Sequence, residues 1–352
     1  MRVPTVMLSR SIRPMWLMGI MLLTLSGCSD TDTVAEAGLH SFHGPTMGTR
    51  YNITYVQTLA PASLSELQAG VDTVLAELNQ SMSTYIADSE LNRFNDHAVN
   101  EWMTVSAPLF SVIEQAQEIS RLSAGAFDIS VGPLVDLWGF GPTPGEDKIP
   151  SARQLSAVKN SMGYQAIELD KRQRRIRKTS ARRLDLSAIA KGYATDMVAE
   201  YLERQGIDAY LVEVGGEVRL KGKKPNGDNW RIAIETPVSG QREAQRIVSL
   251  SNISIATSGD YRNYFEIDGQ RYSHTIDPAS GYPIQHKLVS VTVITEHCIE
   301  ADGYATAMLV MGTEKSLALA EKLNMAVFLI EKTEQGFVEH KSAAFSSYTK
   351  EP

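Results

Sequence analysis

Cysteine is almost missing from this chain of 352 residues, which carries only Cys28 and Cys298. Two thiols exclude a disulfide framework, and they exclude a zinc site built on thiolates. An excess of positive charge is missing as well: 34 Lys and Arg stand against 41 Asp and Glu, a formal net charge of −7. A nucleic-acid surface needs clustered cations to neutralise phosphate, so that class falls away. Any anionic ligand must then be held by a local device such as a metal, a helix N-terminus or a glycine nest. The common nucleotide and hydrolase signatures are absent too. No Gly-x-Gly-x-x-Gly follows a strand, and there is no Walker lysine loop, His-Glu-x-x-His or Gly-x-Ser-x-Gly.

What is present begins with a targeting segment. Arg2, Arg10 and Arg13 precede an apolar run from Met15 to Leu25, too short for a comfortable membrane span and laid out like a secretory signal. The run ends in Leu25-Ser-Gly-Cys28, which resembles a lipobox, where cleavage precedes the cysteine and the thiol receives lipid. An uncleaved anchor with an incidental cysteine is the alternative. The expected division is a signal over 1–27, a lipidated Cys28 with a polar tether over 28–40, and one domain over 41–352. The mature protein is expected to face the periplasm from a membrane, the inner one in preference to the outer.

Within that domain the periodicity alternates between helix and strand. Ser63-x-x-Glu66 is a capping box, and Leu64, Leu67, Val71, Val74 and Leu78 follow at helical spacing. A second helix follows Pro108, with Phe110, Ile113, Ala116 and Ile119 on one face. Others are predicted over 189–205 and 301–311, the latter closed by Gly312. Strands are expected at 50–56, 209–214, 217–220, 230–235, 254–257, 264–267, 288–295 and 326–330. The alternation of Val289, Val291 and Val293 suits a sheet with one face buried. Gly139 to Pro150 reads as a surface loop, Gly215-Gly216 as a bulge or tight turn, and Thr257 to Asp260 as a turn. Helices that interrupt antiparallel-looking strands indicate an α+β fold with mixed, largely antiparallel sheets.

Polar-glycine clusters run through the domain in order. They are Gly44-Pro-Thr-Met-Gly-Thr-Arg-Tyr51, Met82-Ser-Thr-Tyr85 with Ser89-Glu90 and Phe94-Asn95, and Gly125-Ala-Phe-Asp128 with Gly132-Pro133. Next come Leu184-Asp-Leu-Ser-Ala-Ile-Ala-Lys-Gly192, Val214-Gly-Gly-Glu217 and Ala256-Thr-Ser-Gly-Asp-Tyr-Arg262. His274-Thr-Ile-Asp-Pro278 with Gly281-x-Pro283, and Ala301-Asp302 with Ala305-Thr306, complete the series. Together these clusters resemble the FAD:protein FMN transferase (ApbE) family over nearly the whole mature chain.

The residues taken alone allow two accounts each. Asp302 and Thr306 lie four apart, so a carboxylate and a hydroxyl share a helix face as hard oxygen ligands for Mg²⁺. The alternative is a dipole-favoured Asp with a back-bonded Thr. Asp185, at the end of a strand-like run, is a helix cap or a ligand contact. Lys191, opening a helix, is a solvated residue or a pyrophosphate partner. Met47 reads as core or ligand contact, and Tyr85 as a core-edge ring or a stacking one. His40 and His43 are an incidental pair.

The resemblance implies more. It places Mg²⁺ on Asp302, Thr306 and the main-chain carbonyl of Ala188, with Asp277 in support. FAD, as substrate, is placed against Met47, Tyr85, Ala126, Phe127, Asp128, Asp185, Lys191 and Ile276. His274 is placed close to FAD, as general base or as packing against the flavin; a good leaving group on a metal-held anhydride favours packing. The implied reaction moves FMN from FAD to a Thr or Ser hydroxyl of an acceptor protein and releases AMP. Implied acceptors are subunits of sodium-translocating NADH:quinone reductase and Rnf-type complexes. A metal-dependent FAD pyrophosphatase and a non-catalytic FAD-binding lipoprotein are the rivals.

Overall fold

The structure is a computed structural model, and it describes residues 38–57, 63–141, 148–238, 244–260 and 263–348. The apolar run, Cys28 and most of the tether lie outside these residues, as do 142–147 of the expected loop, Tyr261 and Arg262.

The chain opens with an antiparallel hairpin, β1 (Gly38–Thr46) and β2 (Thr49–Gln57). Strand structure thus begins three residues inside the expected tether. A helical stretch follows: α1 (Leu64–Met82), α2 (Glu90–Asp96), the short β3 (Met103–Thr104), α3 (Ala107–Leu122), α4 (Gly132–Leu137) and α5 (Ala152–Lys159). Then come β4 (Ile167–Asp170), β5 (Arg175–Lys178), α6 (Ala190–Arg204), β6 (Tyr210–Val214), β7 (Glu217–Lys221), β8 (Trp230–Glu235) and β9 (Ala244–Leu250). The last part holds β10 (Ile253–Gly259), β11 (Tyr264–Ile267), β12 (Gln270–Ser273), β13 (Leu288–Thr295), α7 (Cys298–Met311), α8 (Thr313–Leu323), β14 (Ala326–Thr333) and β15 (Gly336–Lys341).

Eight strands form the main sheet in the order β1-β2-β6-β7-β10-β13-β14-β15, and every neighbouring pair is antiparallel. One face carries the larger core, where Val212, Val214, Val291, Val293 and Leu329 meet apolar stripes of α1, α3, α6 and α7. The other face packs Val289, Ile294, Phe328 and Ile330 against the β8-β9 hairpin. Both faces of β13 are therefore covered, where the alternation suggested one, and its polar Ser290 and Thr292 are buried with the valines. A third cluster, centred on Trp138, joins α4 and α5 to the β11-β12 hairpin.

Local chemistry explains the elements that matter to the site. The capping box forms in full, with the Ser63 N–H donating to Glu66 Oε2 at 2.8 Å and the Glu66 N–H to Ser63 Oγ at 3.3 Å. Leu67, Val71, Leu75, Leu78 and Met82 are buried along α1, while Leu64 is exposed. Thr257 to Gly259 is not a turn. It is the end of β10, held in extended form by pairing with β13. Gly215-Gly216 is the turn of the β6-β7 hairpin, with Val214 opposite Glu217 and φ of 64° and 110°.

Candidate active site

Two tight turns and two helices meet at one point. Met47-Gly48 closes the β1-β2 hairpin with φ of 47° and 70°, a left-handed backbone that a methionine adopts only under constraint. Gly215 lies beside this hairpin, its N–H donating to the Arg50 carbonyl at 3.0 Å. A Cβ on Gly215 would sit 2.9 Å from Thr49 Cγ2 and 3.0 Å from Lys191 Cδ, so the missing side chain lets both turns approach the start of α6.

Lys191 stands in the first turn of α6. Its ammonium is 2.5 Å from Glu217 Oε1 and 4.0 Å from Asp302 Oδ1, so it is no free surface cation. Asp302 comes from α7. Its Oδ2 accepts the Gly192 N–H at 2.9 Å. A Cβ on Gly192 would fall 2.4 Å from the Cys298 carbonyl and 2.7 Å from Asp302 Cβ, so α6 and α7 touch backbone to backbone here. One turn further along, Thr306 Oγ1 is 3.1 Å from Ser258 Oγ on β10.

Asp302 does not stand at the N-terminus of its own helix. Helix α7 starts at Cys298, three residues earlier than expected, and its first N–H groups are already satisfied. Asp196 of α6 accepts from the Cys298 and Ile299 N–H groups at 2.9 Å each. Asp302, in the second turn of α7, instead accepts an N–H from the first turn of α6, and its Oδ1 lies 4.0 Å from the Lys191 ammonium. Burial pushes Asp302 and Glu217 above the usual carboxylate range. Burial also opposes the charge on Lys191, yet the two carboxylates outweigh it and hold the ammonium above its ordinary value. Two buried carboxylates thus share one ammonium, and a divalent cation beside them would favour their charged forms.

Among the described residues, no group of three or more His, Cys, Asp or Glu gathers as a metal site. A metal here would rest on one carboxylate completed by hydroxyl and main-chain oxygens, the donor set Mg²⁺ accepts beside phosphates. Ala188 lies in the turn 187–189 that leads into α6, half-buried against the main core. Glu217 Oε2 is buried without a hydrogen-bond partner. The donor set fits.

Asp185 belongs to an irregular segment, not to a strand, and it does not cap α6, whose N-cap is Ile189. Its N–H donates to the Ile129 carbonyl at 2.7 Å, and its Oδ1 accepts the Ser187 N–H at 2.8 Å. Gly132 packs close to it, where a Cβ would lie 3.3 Å from Asp185 Cβ. The 126–128 segment is thereby brought alongside, but two of its side chains are engaged elsewhere. Phe127 is buried in the core. Asp128 accepts from the Ser130 N–H at 2.8 Å, the Ser130 hydroxyl at 2.6 Å and the Tyr164 N–H at 3.0 Å. Ala126 remains half-buried.

Tyr85 is 72% exposed, so it is not a core-edge ring. Its loop is anchored by Asn92, whose amide donates to the Thr84 and Ile86 carbonyls at 3.0 and 2.9 Å. On the same helix, α2, Asn95 exchanges hydrogen bonds with Leu184, next to Asp185. His274 directs Nδ1 at the Asn263 carbonyl, 3.1 Å away, and meets the Phe140 ring edge-on at 6.4 Å. A carbonyl partner assigns the proton to Nδ1 and leaves Nε2 with its lone pair. Burial lowers its pKa, with Asp260 raising and Lys191 lowering it further, so His274 lies within electrostatic reach of the lysine.

Ile276 is buried in the Trp138 cluster and bridges to Pro283. Asp277 accepts the Ala279 and Ser280 N–H groups at 2.9 and 3.1 Å and so shapes a turn. Neither Glu217 nor Ser258 is singled out as a site residue by spacing or motif. The signal for Glu217 is only a carboxylate directly after a Gly-Gly turn; Ser258 has none, since its role depends on β10 being a strand.

Known proteins share this architecture. The model of the ApbE family matches residues 47–329. The FAD:protein FMN transferase of Vibrio cholerae is 45% identical over 336 residues, covering 95% of this chain and 98% of its own. That of Haemophilus influenzae is 42% identical over 335 residues, with 94% and 95% covered. The solved flavin transferase ApbE from Vibrio cholerae superposes with a TM-score of 0.83 at 45% identity, covering 89% of this chain and 99% of that one. The apo flavinyl transferase ApbE of Pseudomonas stutzeri gives 0.83 at 41% identity, with 90% and 98% covered. With a buried carboxylate-lysine centre at the meeting of two hairpin turns and likeness along nearly its full length, the chain belongs to the ApbE family.

Proposed function

We propose that this protein transfers FMN from FAD to a hydroxyl of an acceptor protein. The observation that carries the reading is the Lys191-Asp302-Thr306 arrangement, set beside the Asp185 turn in a chain 45% identical to an FAD:protein FMN transferase. The acceptor oxygen attacks the phosphorus nearer riboflavin, the new P–O bond forms, and the anhydride P–O bond breaks with its electron pair leaving on AMP.

Within this reading the Lys191 ammonium donates to pyrophosphate oxygens. Asp302, Thr306 and the Ala188 carbonyl would hold Mg²⁺, which when bound supplies positive charge beside the pyrophosphate and the departing AMP. Tyr85 and Met47 present exposed and turn-held apolar surface to FAD, Ala126 and the backbone of Phe127 and Asp128 line it, and Ile276 closes the floor. His274, neutral and with Nε2 open, accepts the hydroxyl proton. Lipid on Cys28 would keep the domain at a periplasmic membrane face, where acceptors of the quinone-reductase and Rnf type reside.

The test incubates the protein with FAD, Mg²⁺ and a candidate acceptor and follows both flavin fluorescence on the denatured acceptor and AMP. Covalent flavin with matching AMP is the expected result. AMP and free FMN without labelled acceptor would make the protein a pyrophosphatase instead.

A further inference from the structure

Glu217 is the one member of the buried cluster with no assigned task. Its side chain is 6% exposed, that of Asp302 is 4%, and the single ammonium of Lys191 serves both. The sharing is unequal: 2.5 Å to Glu217 and 4.0 Å to Asp302. Glu217 is fixed by its place opposite Val214, directly after the Gly215-Gly216 turn. The Lys191 stem passes under Gly215, close enough that a Cβ there would meet its Cδ at 3.0 Å. A four-carbon stem with free torsions can swing its ammonium across a gap of this size. Without Glu217, the buried carboxylate oxygen left within reach of the ammonium among the described residues is Asp302 Oδ1, 4.0 Å away. A lysine closed on that oxygen and a divalent cation bound to it exclude one another.

We infer that Glu217 is a positioning residue that draws Lys191 away from Asp302 and so keeps Asp302 open to a divalent cation. This rests on the proposed metal role of Asp302. Shortening Glu217 to Asp preserves the net charge of the cluster but withdraws the carboxylate from the ammonium. The effect of charge and the effect of position can therefore be separated.

The experiment titrates Mn²⁺ into the FAD-free protein and reads free metal by electron paramagnetic resonance, so no turnover is involved. Glu217→Asp and Glu217→Gln should each weaken Mn²⁺ binding by roughly 10- to 100-fold, the usual cost of disturbing a group behind a metal ligand. Adding Lys191→Met to either variant should restore the affinity, a rescue that a misfolded protein would not show. If Glu217→Asp titrates like wild type, or if Lys191→Met fails to rescue, the inference is overturned while the metal site stands. If Asp302→Ala binds Mn²⁺ as well as wild type, the metal site itself is wrong and the inference falls with it.

Discussion

At His274 the backbone carbonyl of Asn263 fixes the tautomer, and burial keeps the imidazole neutral at neutral pH. His274→Asn should therefore lower turnover by roughly 10²–10⁴-fold at saturating FAD, with the deficit shrinking as pH rises. Recovery of the rate simply on adding FAD would reduce the residue to packing. The stability effect has a definite sign. A histidine whose folded pKa lies below its ordinary 6.5 supports the fold above that pH, and this support is lost as pH falls. Thermal melts of wild type against His274→Asn should diverge on acidification below that value, with wild type the more sensitive. Met47 offers a second probe. Glycine takes its φ of 47° without strain but gives up the packing of Met47 against the core and adds chain entropy, so Met47→Gly should change stability by less than about 1 kcal/mol while raising the KM for FAD. Asp302→Ala should abolish transfer, and EDTA should do the same to wild type until Mg²⁺ is returned. Of these residues, spacing alone paired Asp302 with Thr306. Ala188 and Asp185 came from family likeness, because nothing local marks a carbonyl as a ligand.

The contact between α6 and α7 ties the lysine to the carboxylate. Gly192→Ala would drive a methyl into the Cys298 carbonyl, which cannot rotate away, so a loss of roughly 1–3 kcal/mol is expected by denaturant titration. Gly303→Ala meets the flexible end of Ile119 instead, at 2.4 Å, and should cost less. These elements also show where sequence reading stops. The long amphipathic helices α1 and α3 are plain from periodicity, α1 also from its capping box and α3 from Pro108 at its start. The start of α7 is not, because its capping carboxylate, Asp196, comes from another helix. β1 has no strand signal of its own, since Gly38, Gly44 and Pro45 disfavour a strand, and it exists through pairing with β2. β10 was cut short for the same reason: Thr257-Ser-Gly259 has turn composition, but β13 holds it extended.

For the whole molecule, the α+β class and the strands β6, β7, β8, β11 and β13 were legible, since each is a β-rich run between turn residues. Strand order was not, as it depends on distant pairings such as β2 with β6. Among the described residues no helix is long and apolar enough to cross a membrane. Cys28→Ala should shift the protein from the membrane to the soluble fraction or leave it unprocessed. Fractionation unchanged from wild type would refute the lipobox.

The turn at Met47-Gly48, the lysine of α6, the Gly215 corner and the carboxylate of α7 meet at one place although they lie far apart along the chain. A ligand that grips them acts as a clasp on the entire sheet, since none of its contacts exists in a partly folded chain. Binding should thus be felt globally. With FAD and Mg²⁺ at about 100 times their dissociation constants, the linkage adds roughly 2.7 kcal/mol per independent site. Calorimetry should show one transition moving upward intact, with no separate liganded subdomain. Proteolysis should slow at sites remote from the flavin as well as beside it.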